Sequence, residues 1–135
     1  MKIERRSDRA VMVHVGEGIS TELVAKVAAL AEVFQREMGA SLKEVVPSYT
    51  GITLYCKNFV GSDTMHRISI ICSAYSDTAG ATAGGKVHRI PVDYSGVDLD
   101  SISAFTGKSP KEIIQLHSSP VYTVGMMGFT PGFPY

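Results

Sequence analysis

The sequence predicts an α+β fold with a small, α/β sandwich-like N-terminal domain, residues 1–80, and a second domain that begins in residues 81–135. Short apolar runs alternate with stretches of helical period in the first part of the chain. The run 77–85 (DTAGATAGG) holds no large apolar side chain and is typical of a flexible linker. The hydrophobic content of the chain, 44%, is that of a globular protein.

The N-terminal domain begins with a predicted strand and a predicted helix. Ala10–Val15 (AVMVHV) is apolar apart from His14, which we interpret as a hydrogen-bonded structural residue and not as a ligand. Ser20 or Thr21 can cap the helix, and Gly39 can end it in the left-handed conformation. Apolar residues recur every three or four positions and define one helix face: Leu23, Val27, Leu30, Phe34 and Met38.

Two more strands and a second helix complete this predicted domain. Leu42–Val46 and Gly51–Cys56 are strand-like and flank a corner at Pro47-Ser48-Tyr49. Ser62 or Asp63 can cap the second helix, whose apolar face consists of Met65, Ile68, Ile71, Cys72 and Tyr75. The order strand, helix, strand, strand, helix predicts a sheet with both helices on one face.

The second half of the chain predicts two strands and two helices. Val87–Val92 is strand-like, with Pro91 indicating a sheet edge, and Val121–Met127 predicts the last strand. The first helix can end at Gly107 and carries three apolar residues on one side: Leu99, Ile102 and Phe105. Ser109-Pro110-Lys111-Glu112 predicts a capping box at the start of the second helix.

Composition excludes several classes of function. The 13 basic and 13 acidic residues balance, which argues against nucleic acid as the partner. No apolar run has the length of a signal-peptide core or of a membrane span, so the sequence predicts a cytoplasmic protein that does not enter a membrane. None of the four histidines stands at metal-ligand spacing from another ligand, so no metal site is predicted. Cys56 and Cys72 lie in apolar runs and are expected to be structural.

The linker contains an incomplete phosphate-binding pattern. Gly80, Gly85 and Lys86 have the spacing of a phosphate loop, but Val87 stands where such a loop needs Ser or Thr. The segment also joins a predicted helix to a predicted strand, which is the reverse of the required order. We therefore interpret it as a spacer.

Two segments are candidates for function. His117 is expected at a helix end, before two serines and a proline, where it can act as an acid or base or simply cap the helix. The segment Gly128–Tyr135 (GFTPGFPY) combines a fixed, irregular backbone with three aromatic rings. Such a segment can form the rim of a pocket, a partner interface, or a hydrophobic turn.

The same segment carries a family resemblance. Tyr122-Thr123-Val124, Gly128-Phe129 and Pro131–Tyr135 (PGFPY) resemble the signature of the KipI-like/allophanate hydrolase subunit 1 family. Weaker matches in the same order extend the resemblance over nearly the whole chain: Glu44–Tyr49, Ile90-Pro91-Val92, Tyr94, Asp98-Leu99, Thr106-Gly107 and Leu116-His117.

The resemblance implies a fold and a set of partners. Members have a small α+β domain followed by a cyclophilin-like β-barrel, and this chain is expected to end partway through the barrel. Many members resemble the B component of ATP-dependent 5-oxoprolinase, which opens the lactam of 5-oxoproline to glutamate. The implied partners are a second barrel-containing subunit and a third hydrolase subunit. ATP is implied only for the complex, because this chain has no ATP-binding motif.

The resemblance also implies site residues and alternatives. His117 is expected to be the catalytic acid or base, and the substrate- or partner-binding residues are expected to be Gly128, Phe129, Pro131, Gly132, Phe133 and Tyr135. Other members inhibit a sensor histidine kinase and need no catalytic residue, and others act on urea or allophanate. A fragment without activity is the third interpretation.

Overall fold

The computed structural model describes residues 1–75, 86–128 and 130–135, which belong to two units of the chain. The first unit is Met1–Gly84 with Val124–Tyr135, and the second unit is Gly85–Thr123. The predicted boundary near residue 80, the linker and the glycines of the phosphate-loop pattern lie outside the described residues. The boundary therefore stays a prediction.

The first unit is built on a four-stranded antiparallel sheet. Its strands are β1 (Lys2–Arg5), β2 (Ala10–His14), β3 (Leu42–Pro47) and β4 (Gly51–Cys56), in the order β1-β2-β4-β3. The three strands predicted from apolar runs are confirmed. β1 was not predicted, because its sequence KIER is charged at three of four positions and offers one apolar side chain to the sheet.

Two helices cover one face of this sheet, as predicted. α1 (Thr21–Met38) buries four residues of its predicted apolar stripe, and α2 (Ser62–Ala74) buries Ile68. The register pairs Val11 with Leu54 and Val13 with Ile52, so these four side chains share a face of the sheet. All of them join the helix residues in one hydrophobic core.

The ends of the two helices differ in part from the predictions. Ser20 caps α1 as expected, accepting a hydrogen bond from the Leu23 N–H at 3.1 Å. Gly39 is not left-handed: its φ is −50°, and it begins a 3-10 turn, Gly39–Ser41, which leads directly to the buried Leu42. Neither Ser62 nor Asp63 caps α2, because both lie inside the helix: the N-cap is Gly61, which has no side chain to accept a hydrogen bond, and the Ser62 hydroxyl donates to Asp63.

The second unit confirms the two predicted helices. α3 (Asp98–Thr106) ends at Gly107, whose φ of 68° is left-handed as expected. α4 (Pro110–Ser118) begins with the predicted capping box between Ser109 and Glu112. No residue from 86 to 123 is buried. These helices are therefore stabilised mainly by local interactions.

Both strand predictions for the second half of the chain are wrong. Residues 86–95 contain no strand, and the predicted strand Val121–Met127 contributes only a single bridge, from Met127 to Pro134. A strand needs a neighbouring strand to complete its hydrogen bonds, and the described residues of this half offer none. The cyclophilin-like barrel implied by the resemblance stays an expectation. Among the helices that the structure describes, none combines the length and hydropathy needed to cross a bilayer.

Truncating the core should destabilise the first unit strongly. Phe34 is fully buried between the helices and the sheet, so we expect Phe34→Ala to lower the free energy of unfolding by about 3–5 kcal/mol. Phe59 is 65% exposed, with the Arg5 guanidinium 5.8 Å from its ring centroid, so Phe59→Ala should cost less than about 1 kcal/mol. Urea unfolding followed by circular dichroism measures both. Equal costs for the two variants would contradict this assignment of the core.

The capping box should be visible in an acid titration. The Ser109 hydroxyl and backbone N–H donate to the Glu112 carboxylate at 2.6 and 2.8 Å and lower the pKa of Glu112. The cap therefore contributes fully above the pKa of an ordinary glutamate and is lost as the pH falls through the lowered value. By NMR titration we expect Ser109→Ala to raise the Glu112 midpoint, and Ser101→Ala in α3 to leave it unchanged. An unchanged midpoint in Ser109→Ala would show that the box does not form.

Candidate functional site

His117 lies in the last turn of α4 and is held by a tyrosine from an earlier loop. The Tyr94 hydroxyl is 2.6 Å from His117 Nδ1. The two rings meet edge to face, with centroids 5.7 Å apart and planes inclined by 82°. This contact fixes the plane of the imidazole, although His117 itself is exposed.

A second tyrosine holds the backbone of the same histidine. The Tyr122 hydroxyl donates to the His117 carbonyl oxygen at 3.0 Å, and its ring lies 5.8 Å from the imidazole. The serines beside His117 have other roles. Ser118 donates to the Ile114 carbonyl oxygen, and Ser119 ends the helix through its backbone N–H. The tyrosines, and not the serines, therefore orient His117.

This arrangement suits proton transfer. The neutral imidazole has one donor and one acceptor nitrogen, so a hydroxyl that donates to Nδ1 leaves the proton of the neutral ring on Nε2. Among the described residues, Tyr94 bonds the imidazole at Nδ1 and none bonds it at Nε2. Nε2 can then exchange a proton with a ligand, which is the geometry of a general acid or base.

The predicted binding segment folds into a short hairpin in the first unit. The Tyr135 carbonyl oxygen accepts from the Gly125 N–H at 2.6 Å, and the Tyr135 N–H donates to the Met126 carbonyl oxygen at 2.8 Å. The Gly128 N–H donates to the Phe133 carbonyl oxygen at 3.1 Å. We call the described residues from 125 to 135 the tail hairpin.

A tight turn forms the tip of the tail hairpin. The Phe133 N–H donates to the Thr130 carbonyl oxygen at 3.1 Å, and Pro131 and Gly132 occupy the two central positions. Gly132 has a φ of 81°, which a type II turn requires at its third position and which glycine adopts without strain. The Pro-Gly pair thus fixes the direction of the tip.

Aromatic side chains cover part of the tail hairpin. Phe133 and Tyr135 are 46% and 44% exposed, and their ring centroids lie 5.0 Å apart. A Cβ atom at Gly128 would lie 2.9 Å from the Met126 methyl group, the end of a flexible side chain that can move aside, so packing does not require glycine here. Phe129, the remaining predicted binding residue, lies outside the described residues. The result is a small, partly exposed aromatic surface.

The structure divides the predicted site residues between the two units. His117 belongs to the second unit, whereas Gly128, Pro131, Gly132, Phe133 and Tyr135 belong to the first. The five described tail residues lie in one hairpin. A single site that includes both His117 and the tail hairpin stays a prediction. Sequence reasoning did not select Tyr94 or Tyr122 as site residues, although both belong to the family matches.

Other groups in the described residues show structural roles. His14 Nε2 lies 3.3 Å from a carboxylate oxygen of Glu4. Hydrogen bonds from Lys2, which has the larger effect, and from His14 lower the pKa of the Glu4 carboxyl. Cys56 is in the core and Cys72 packs against it, and burial raises the pKa of both thiols. No group of three His, Cys, Asp or Glu side chains in the described residues could hold a metal ion.

A depression of about 410 Å³ lies between α1 and α2. Its lining contains none of the predicted site residues: Val33, Arg36, Glu37, Ile70, Ile71, Ala74 and Tyr75. It therefore adds nothing to the candidate site.

Comparison with known proteins places the chain in one family. The family described as "Carboxyltransferase domain, subdomain C and D" matches residues 1–135, and the chain belongs to it. The B subunit of the 5-oxoprolinase of Bacillus subtilis (strain 168) is 27% identical over 153 residues, which cover 99% of this chain and 61% of the relative. The B subunit of the Haemophilus influenzae 5-oxoprolinase is 31% identical over 138 residues, covering 100% of this chain and 63% of the relative.

A solved structure agrees with this placement. The crystal structure of TTHA0988 superposes with a TM-score of 0.73 and 33% sequence identity, covering 93% of this chain and 25% of that chain. The chain spans 61% and 63% of the length of the two curated relatives.

The hydrogen bond from Tyr94 should select one tautomer of His117. With the Tyr94 hydroxyl donating to Nδ1, we expect the neutral ring to carry its proton on Nε2, and Tyr94→Phe to weaken this preference toward that of a free histidine side chain. The ¹⁵N chemical shifts of the ring, measured above the titration range of histidine, report the tautomer. Tyr122→Phe is the matched control, since it removes only the bond to the backbone carbonyl. A tautomer ratio that is unchanged in Tyr94→Phe would contradict the assignment.

Proposed function

Because the chain belongs to the carboxyltransferase family of subdomains C and D, we propose that it is part of the B subunit of a 5-oxoprolinase, an ATP-dependent enzyme that opens the lactam of 5-oxoproline to glutamate. The observation that carries this proposal is the pair of relatives named as B subunits of 5-oxoprolinase, which align with 99% and 100% of the chain. The structure of His117 supports the proposal, because the reaction needs proton transfers.

ATP is assigned to the complex and not to this chain. The glycines of the incomplete phosphate-loop pattern lie outside the described residues, and in sequence the pattern lacks the hydroxyl residue after Lys86. At the start of α4, the backbone N–H groups of Ser109 and Glu112 are already bonded within the capping box, and the Glu112 carboxylate would repel a phosphate. When bound elsewhere in the complex, ATP supplies the free energy to break a resonance-stabilised amide.

The role proposed for this chain is proton transfer and orientation. Lactam opening turns a ring nitrogen into an amine, which requires a proton, and the attacking water loses one. His117 can give or take a proton at Nε2 while Tyr94 holds Nδ1. Tyr122 fixes the backbone from which the imidazole projects. These contacts restrict the side-chain torsions of His117 and so hold the ring in one direction, which favours transfer to one fixed atom.

The proposed partners are a second barrel-containing subunit and a third hydrolase subunit. Large apolar side chains of the second unit are exposed, and such surface is typical of protein interfaces. Those more than 70% exposed are Val87, Ile90, Val97, Phe105 and Val121. The same surface supports the second candidate function, in which the protein binds and inhibits a sensor histidine kinase.

Reconstitution separates these functions. We expect a full-length version of this chain, mixed with its two candidate partner subunits, to release glutamate from 5-oxoproline in an ATP-dependent reaction that stops when this component is omitted. His117→Ala should lower the rate by about 10²–10⁴-fold, the usual contribution of a general acid or base. The exposed His66 of α2 is the matched control, and His66→Ala should change the rate less than about twofold.

The opposite result is equally informative. A complex that assembles but releases no glutamate would refute the oxoprolinase assignment. Inhibition of histidine-kinase autophosphorylation by the isolated protein would then support the second candidate. Hydrolysis of urea-derived substrates by the complex would support the allophanate-type reaction implied by the family resemblance.

A further inference from the structure

Tyr94, which holds the imidazole of His117, stands inside a turn that its two neighbours close. One carboxylate oxygen of Asp93 accepts a hydrogen bond from the Ser95 backbone N–H at 2.9 Å, and the other accepts from the Ser95 hydroxyl, also at 2.9 Å. An aspartate that bonds the backbone two residues later forms an Asx turn, which encloses the residue between them. The residue enclosed here is Tyr94.

The carboxylate closes this turn in its charged form. The bond from the Ser95 backbone N–H, followed by the bond from the Ser95 hydroxyl, lowers the pKa of the Asp93 carboxyl. Hydrogen bonds to a charged acceptor are stronger than those between neutral groups. Near neutral pH the turn is therefore held by two charge-assisted bonds.

The turn decides the direction in which the Tyr94 side chain leaves the backbone. No residue from 86 to 123 is buried, so a surrounding core does not hold this loop. Among the hydrogen bonds of the described residues, those between Asp93 and Ser95 close the backbone around Tyr94. The Tyr94 hydroxyl then reaches Nδ1 of His117 at 2.6 Å, 23 residues further along the chain.

Holding α3 and α4 together does not require this series of contacts. At the junction of the two helices, the Ser103 hydroxyl donates to the Lys108 carbonyl oxygen at 2.5 Å, and the Gly107 N–H donates to the Ser103 carbonyl oxygen at 2.9 Å. α4 then begins with its own capping box. The contact of Tyr94 differs from these bonds, because it ends at a ring nitrogen that can carry a proton.

We propose that Asp93 is a positioning residue for proton transfer at His117: by closing the turn with Ser95 it aims the Tyr94 hydroxyl at Nδ1, and so keeps the proton of the neutral ring on Nε2. This inference rests on the proposed function, since it assumes that His117 transfers a proton. Asp93 acts through the shape of the turn and not through its charge. An amide that accepts the same backbone hydrogen bond can therefore replace its carboxylate.

The ¹⁵N chemical shifts of the His117 ring, measured on the free full-length protein, test the positioning without the reaction. Asp93→Ala removes both acceptors and should change the tautomer ratio in the same direction as Tyr94→Phe and to a similar extent. Asp93→Asn keeps an oxygen for the Ser95 N–H and should retain the wild-type ratio. Asp100→Ala in α3 is the matched control, since it removes an equal charge outside the turn. The backbone chemical shifts of α4 should stay unchanged in every variant.

The rate of the reconstituted complex tests the purpose of the positioning. Asp93→Ala should lower kcat by about 10- to 100-fold and leave the KM for 5-oxoproline within about twofold of wild type, because the proton-transfer group is misdirected while the substrate still binds. Asp93→Asn and Asp100→Ala should both stay close to wild type. In the Tyr94→Phe background, Asp93→Ala should add little, because the hydroxyl that the turn aims is already gone.

Three results would overturn the proposal. An unchanged tautomer ratio in Asp93→Ala would show that the turn does not aim Tyr94. Chemical shifts of α4 that change in Asp93→Ala would give the turn a structural role. An Asp93→Asn variant as impaired as Asp93→Ala would show that the charge matters and not the turn. A wild-type complex that assembles but releases no glutamate would refute only the proposed function, since the tautomer ratio of the free protein still tests the positioning.

Discussion

Everything in the first unit depends on the burial of one face of its sheet. Val11, Val13, Ile52 and Leu54 are fully buried under Leu30 and Phe34, and each such side chain contributes about 1.5–3 kcal/mol when it leaves water. The opposite face carries partly exposed residues such as Met12 and Thr53. Because a one-residue slip would exchange the two faces, the core also fixes the register. The register in turn places the β3–β4 corner.

Much of the fold could be predicted because its signals are local. The apolar stripe of α1, the capping box of α4 and the left-handed Gly107 each depend on residues within a few positions of one another. Strands were harder, since their hydrogen bonds go to residues far away in sequence. Lys2–Arg5 forms an edge strand despite its charges, because β2 offers a partner. Val87–Val92 forms none, although it is more apolar.

The candidate site shows the same division. The position of His117 at a helix end followed from the sequence, whereas the tail was predicted only as an irregular segment that can form a pocket rim, a partner interface or a hydrophobic turn. Tyr94 precedes His117 by 23 residues, and no local pattern connects the two. Contacts of this kind leave no periodic signal.

The second unit presents a different physical situation from the first. α3 and α4 have nine residues each, which is short for a helix to persist on propensity alone. No described residue from 86 to 123 is buried, so caps and the contacts of His117 with two tyrosines supply most of the order. Apolar side chains such as Phe105 and Val97 are 91% and 90% exposed, so burying them against a partner would be favourable in free energy. A partner that covered them would stabilise α3, which contacts α4, the helix that carries His117. In the proposed complex, assembly and the positioning of the proton-transfer group are therefore linked, which gives a physical reason for this chain to contribute to a reaction whose nucleotide we propose is bound elsewhere.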